Sequence, residues 1–208
     1  MLYYLTRYPD WQDRVRKEVD ELCEKVPGLG KRAVPGSDAL ADLKNLNAVI
    51  NEMLRLQPPL PTMLQRAPVA GSGGKQLGNW FLPEGNSVQV PPFAVHRDPG
   101  YFSPLPKEFL PQRWFPEADS DPATVTQEFK GQLNVLDRSG FIPFSMGPAN
   151  CAGKSMALKQ LRYIPALLLR NFRFEFPEGY NPDLWEEELQ DRFLMSKGKL
   201  PLRMVLRE

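Results

Sequence analysis

The chain has 208 residues, 42% of them hydrophobic, and its 26 basic and 25 acidic residues leave a formal net charge of +1. That balance carries no electrostatic footprint for nucleic acid, and two distant cysteines with a single histidine exclude a disulfide framework and a His-rich zinc site. The sparse, distant cysteines read as an intracellular or cytosol-facing chain. No apolar run approaches the roughly eighteen residues of a membrane span, and "MLYYLTRYPDWQ" turns charged too early for a signal peptide, so no targeting signal is legible.

Pro9 and Asp10 mark a helix start, and Trp11, Val15, Val19 and Leu22 follow at helical spacing, which predicts a helix over 10–25. "VPGLGKRAVPGS" is punctuated as a loop, after which Ser37 and Asp42 offer two successive N-caps. In "LKNLNAVINEMLRL" the residues Leu46, Val49, Ile50, Met53 and Leu54 form one stripe, the mark of a helix with a buried face that stops at "QPPLP". Between Met63 and Val95, "TMLQRAPVA", "NWFLPEG" and "SVQVPPFAV" read as short strands of small antiparallel sheets. "GSGGK" is no phosphate loop, because Val69 stands where the motif's first glycine belongs and Gln76 follows the lysine. "KEFLPQRWFPEADSDPATVTQEFKGQ" is polar and irregular, a length of loop that a compact domain tolerates mainly around a functional site.

The segment after Cys151, "GKSMALKQLRYIPALLLRNFRFEF", is helical in pattern, with Met156, Leu161, Leu167 and Leu168 available for burial and Pro165 expected to kink it. "DRFLMSKGKLPLRMVLRE" reads as two strands about a Lys-Gly turn. The 22 prolines fit many short connections, and the fold class is α+β, mainly α-helical with small antiparallel β-sheets.

Two constellations carry chemistry. Glu52 and Arg55 are three apart on a helix and can pair, and with Arg113 from "EFLPQRW" they can form a carboxylate shared by two guanidinium forks, although a surface ion pair is the plain alternative. Cys151 follows a Gly147-Pro148 turn and precedes a helix whose N–H groups and dipole end face the sulfur, while Gly153 admits a close approach; this suits a metal ligand or a nucleophile, against the alternative of a small buried hydrophobe. A nucleophile would want a base, and His96 is the sole histidine, with nothing in the sequence to bring it to Cys151.

Glu52-x-x-Arg55, "HRDP" at His96 to Pro99, Pro111-x-Arg113 and Phe144-x-x-Gly147-x-x-x-Cys151-x-Gly153, in this order, resemble the cytochrome P-450 superfamily of haem-thiolate monooxygenases, and "GPANCAGK" is most similar to fungal, microsomal-type members. The resemblance implies that Cys151 is the axial ligand of the iron of haem b (iron protoporphyrin IX), that Phe144 packs against the ligand loop, that Gly147 shapes its turn, and that Gly153 admits the porphyrin. It implies a structural Glu52, Arg55 and Arg113 cluster, Arg66 at a haem propionate, and Leu60 to Leu64 and Phe193 to Met195 near the substrate. Ala149 departs from the family, many of whose members carry a propionate-binding arginine there.

By the same resemblance, residues 1–208 are the C-terminal haem-ligand portion of the P-450 fold, without the oxygen-activating helix. The intact enzyme is then expected to insert one oxygen atom from O2 into an apolar small molecule, with electrons from NADPH through a reductase on the cysteine side, where Lys154, Lys159 and Arg162 are candidate contacts. An endoplasmic reticulum membrane location, on the cytosolic face, is implied for it. The alternative is a truncated, catalytically inactive fragment with weak or no haem binding; a cysteine hydrolase built on Cys151 and His96 leaves the other motifs unexplained.

Overall fold

The computed structural model describes residues 1–62, 64–115 and 135–207. Most of the long irregular stretch expected after Phe115, and Met63 within the expected substrate segment, lie outside these residues. Among the described residues there are six α-helices and four two-stranded antiparallel sheets, in agreement with the α+β expectation.

Helix α1 (Leu2–Arg7) leads directly into α2 (Pro9–Glu24), where Pro9 occupies the first turn and has no N–H to leave unpaired. Val15 and Val19 of α2 are fully buried against α3 (Lys44–Leu56), whose stripe Leu46, Val49, Ile50, Met53 and Leu54 lies in the core as its spacing predicts. The expected caps are not made: neither Ser37 nor Asp42 caps a helix. The first free N–H groups of α3, those of Asn45 and Leu46, donate to the Glu18 carboxylate of α2 at 3.0 Å each. A partner from another helix takes the place of the local cap.

The stretch between α3 and the cysteine holds less regular strand than its β-prone residues predict. Strand β1 (Gly74–Leu77) pairs with β2 (Trp80–Pro83), so the dismissed "GSGGK" supplies the first two residues of a hairpin; Arg66 and Val88 form an isolated bridge. "PFAV" is a helical turn, α4 (Pro92–Val95), because Pro92 at its start lacks the N–H a strand would need. Strands β3 (Phe102–Ser103) and β4 (Val135–Leu136) pair before the cysteine loop.

Helix α5 (Lys154–Asn171) runs unbroken through Pro165, which is buried. Its second half packs on α2 and α3 through Ala166 and Leu169, with Leu161, Leu167 and Leu168 partly buried, whereas Met156, expected inside, is two-thirds exposed at 66%. The helix ends before "FRFE", which forms strand β5 (Phe172–Glu175) rather than a continuation. Buried Gln12 of α2 pins this strand: its amide donates to the Phe174 carbonyl at 3.1 Å and accepts from the Phe174 N–H at 2.8 Å. After α6 (Asp183–Glu187), strands β6 (Gln190–Arg192) and β7 (Leu194–Ser196) turn about Phe193 at φ +69, and not about Lys197-Gly198; β8 (Arg203–Leu206) leaves to pair with β5. Asp20 ties one end of this sheet, where β5 begins and β8 ends, to α2 by accepting from Arg170 and Arg207 at 2.6 Å each. Among the described residues no helix is long and apolar enough to cross a membrane.

Candidate functional site

The last two turns of α3 bring Glu52 and Arg55 inward, both without solvent exposure. The Glu52 carboxylate accepts from Arg55 Nε at 2.9 Å and Nη2 at 2.8 Å, from Arg113 Nε at 3.0 Å, from the Leu110 N–H at 2.8 Å and from Trp114 Nε1 at 2.8 Å. The structure thus brings the three expected residues together and excludes the surface-pair alternative. Burial by itself would raise the Glu52 carboxyl, but the hydrogen bonds and charge of Arg55, then Arg113 and the Leu110 N–H, hold it below the ordinary carboxylate value. Arg55 spends its remaining donors on the carbonyls of His96 at 2.6 Å, Glu108 at 2.9 Å and Pro106, so one side chain fastens two further segments to the helix. Arg113 adds the carbonyls of Pro104 and Leu105 at 3.2 Å each; its Nη1 is buried with no partner among the described residues. Trp114 and the Leu110 N–H are members of this cluster that sequence reasoning missed; the indole beside Arg113 was the available sign.

His96 and Arg97 close the other end of α3. The carbonyls of Arg55 and Leu56 belong to the last turn, which has no helical partners for them. His96 Nδ1 lies 3.0 Å from the Arg55 carbonyl, and Arg97 Nη2 donates to that of Leu56. The second nitrogen of the imidazole, Nε2, accepts from the Ile142 N–H at 2.9 Å, which couples α3 to the segment leading to Cys151. The ring is fully buried beside Phe102 and Phe141, and burial, with the charges of Arg55 and Arg97, pushes its pKa down to about 4 against the raising effect of the Arg55 carbonyl. Both nitrogens are engaged and inaccessible, so His96 cannot serve an exposed cysteine as a base, and the hydrolase alternative loses its second residue.

Cys151 itself is exposed, in a short loop between Ile142 and α5. Its N–H donates to the Phe144 carbonyl at 2.8 Å, and Phe144 packs partly buried against the main core. Gly147 opens the turn at φ +72, a conformation that side chains rarely adopt. A Cβ at Gly153 would lie 3.8 Å from Cys151 Sγ, so the glycine leaves the space beside the sulfur clear of any side chain. Arg66 is not brought into this loop by any described contact: it is exposed, and its guanidinium reaches only the carbonyls of Leu64 at 3.4 Å and Gln65 at 3.2 Å. Of the two segments expected near a substrate, Phe193 to Met195 reaches the residue just before Leu60 to Leu64, the Met195 N–H donating to the Pro59 carbonyl at 2.9 Å. Of the three cations expected to face a partner, Arg162 donates to Asn47 Oδ1 at 3.0 Å, while Lys159 lies exposed, 3.8 Å from Asp38.

Comparison with known proteins agrees with this constellation. A family profile described as Cytochrome P450 matches residues 1–203. The chain is 32% identical over 192 residues to "Cytochrome P450 67" of Uromyces fabae, covering 92% of this chain and 32% of that protein. It is 32% identical over 208 residues to "Tryprostatin B 6-hydroxylase" of Aspergillus fumigatus, covering 100% and 33%. To "Cytokinin hydroxylase" of Arabidopsis thaliana it is 34% identical over 179 residues, covering 86% and 30%. The chain therefore spans about a third of the length of the curated relatives it matches. With the Glu52 cluster, the exposed cysteine before α5 and a profile match over nearly the whole length, the chain belongs to the cytochrome P450 family.

Proposed function

We propose that residues 1–208 are the C-terminal, cysteine-bearing portion of a haem-thiolate monooxygenase, in which Cys151 would hold the iron of haem b through its thiolate. The observation that carries this reading is the setting of Cys151: an exposed thiol ahead of α5, in a loop closed on the Phe144 carbonyl, with no side chain at Gly153 beside Sγ. The donor set fits. Among the described residues no cluster of three or more His, Cys, Asp or Glu accompanies the thiol, and a lone thiolate suits a metal that arrives with its own equatorial ligands.

When bound, the haem supplies activation of O2 for insertion of one oxygen atom into an apolar substrate, chemistry that thiolate ligation favours. The protein's part is binding, orientation and exclusion of water. Cys151 provides the sulfur, Gly147 turns the loop toward it, and Phe144 backs the loop against the core. Glu52, Arg55 and Arg113 hold the segments around it rigid, which keeps the ligand geometry independent of side-chain motion at the surface. Arg66, free of any described carboxylate, is the candidate for a haem propionate, a task that Ala149 cannot share. Leu60 to Leu64 and Phe193 to Met195 would border an apolar small-molecule substrate. Electrons would come from NADPH through a reductase docking on the cysteine side, where Lys154 and Lys159 are the exposed cations. The intact enzyme would sit at the endoplasmic reticulum membrane, facing the cytosol. Matched relatives named as hydroxylases support the reaction class.

The test is spectroscopic. Loaded with haem and reduced under carbon monoxide, the chain should give the strongly red-shifted Soret band of a thiolate complex, and Cys151→Ser should abolish it; a wild-type chain without that band overturns the haem-binding reading. Because the relatives are about three times as long, reductase-dependent oxidation by the 208 residues alone is expected to be absent, and measurable turnover would overturn that expectation.

A further inference from the structure

The bonding of His96 has a consequence beyond the closing of a helix. The Arg55 carbonyl can only accept and the Ile142 N–H can only donate, so Nδ1 must carry the proton and Nε2 must be the bare acceptor. Two backbone groups therefore select one neutral tautomer, and the arrangement works only in that state: a proton on Nε2 would set two N–H groups against each other at 2.9 Å. The clamp joins the helix bearing Glu52 and Arg55 to the strand of chain that enters the cysteine loop. Two residues further on, the Phe144 carbonyl takes the Cys151 N–H, so the path from α3 to the sulfur consists of His96, Ile142 to Phe144, and Cys151.

We infer that His96 is a positioning residue for the Cys151 loop, setting the loop's place relative to α3 through the acceptor nitrogen that holds the Ile142 N–H. The geometry supports a directional role. Phe102 lies edge-on to the imidazole with ring centroids 6.2 Å apart, and Phe141 is tilted against it at 5.5 Å, so the ring has little room to turn. The charged groups that face it are Arg55 and Glu52 from α3 and Arg97 from its own segment; the cysteine-loop side presents the Phe141 ring and the Ile142 backbone. The two cations outnumber the carboxylate, which opposes a second proton on the ring and keeps the acceptor available. The inference concerns the loop itself, and its value to a haem ligand rests on the reading of Cys151 given above.

The experiment exploits the fact that the chain has one histidine. In the full chain labelled with 15N-histidine, the single imidazole should give an N–H signal from Nδ1 and an unprotonated signal from Nε2, and keep both down to about pH 5. An Nε2–H tautomer, or a doubly protonated ring at that pH, overturns the inference. Paired substitutions then separate position from stability. His96→Gln reaches the Nε2 position with an amide oxygen and should retain the bond to Ile142; His96→Asn reaches only toward Arg55 and should lose it. Amide hydrogen exchange at Ile142 and through the loop should be roughly tenfold faster in the Asn variant than in the Gln variant, the factor expected from one lost hydrogen bond. Equal exchange in the two variants overturns the inference, as does an unprotected Ile142 amide in the wild type. With haem loaded, the Asn variant should lose more of the red-shifted ferrous–CO band than the Gln variant. If the wild type gives no such band, the haem reading fails, while the tautomer and exchange results still decide the clamp.

Discussion

Helices α3 and α5 carry the two motifs that matter most, and they are built in opposite ways. In α3 nearly every residue from Leu46 onward faces protein, both ends are closed by distant side chains, Glu18 at the first turn and His96 with Arg97 at the last, and its buried ions Glu52 and Arg55 are fully bonded. In α5 one face stays outward along much of its length: Gly153 at its start makes no side-chain cap, and Met156, Tyr163 and Ile164 are exposed at 66%, 39% and 51%. The first helix is over-determined by tertiary contacts and acts as a frame. The second opens toward the exposed thiol, where few internal bonds compete with a ligand for space.

The hardest blow to the frame is removal of its carboxylate. Glu52→Ala leaves Arg55 and Arg113 buried without their shared counter-ion, and by analogy with other broken buried pairs this should cost about 3–5 kcal/mol, enough to leave a marginal domain largely unfolded; urea denaturation followed by circular dichroism checks it. The contrasting substitution on the other helix, Cys151→Ser, should leave the denaturation midpoint of the haem-free chain nearly unchanged.

Acidification attacks the same frame in two separable steps. A histidine with a folded pKa of about 4 and an ordinary value of 6.5 binds its proton more readily in the unfolded chain, so its contribution is complete above 6.5 and declines as the pH falls toward about 4. The full loss is on the order of 3 kcal/mol. Glu52, depressed from its ordinary 4.5, adds its own loss only below that value. Urea midpoints measured between neutral pH and pH 5 should fall in the wild type and lose most of that slope in His96→Gln; an unchanged slope would mean that other groups control the acid limb.

Smaller effects sharpen the contrast. Trp114→Phe removes one donor from a carboxylate that keeps Arg55 and Arg113, and should cost about 1–2 kcal/mol in the same denaturation assay. Glycines give a matched pair. A Cβ at Gly140 would fall 2.6 Å from the Tyr101 ring, so Gly140→Ala must displace a packed aromatic and should cost about 1–3 kcal/mol. At Gly153 the added methyl meets only Sγ at 3.8 Å, and Gly153→Ala should change the stability of the haem-free chain by under about 0.5 kcal/mol. On the proposed function it should nonetheless weaken haem binding, measured by absorbance titration.

Much of the frame and part of the site were legible in the residues alone. The spacing of Leu46, Val49, Ile50, Met53 and Leu54 encodes a buried face because helical period is a local property, and Glu52 and Arg55 meet for the same reason. The position of Cys151 before a helix was equally readable. Less so was anything that required a partner far along the chain. "FRFE" continues the apolar pattern of α5 and becomes a strand because Arg203–Leu206 and Gln12 offer its backbone better bonds. Asp42 looked like a cap by residue type, yet Glu18 reached the helix end first. Met156 reads as core by hydrophobicity and is exposed, since nothing in a pattern states which side of a helix has a neighbour.

The sequence by itself determined the helical periods, the order of the four motifs and through them the family, because these depend on residues near one another or on chemistry written in their types. Only the tertiary structure decided that a solitary histidine would join α3 to the cysteine loop. His96 and Ile142 are forty-six residues apart, and a hydrogen bond to a backbone N–H leaves no mark on the identity of the residue that supplies it.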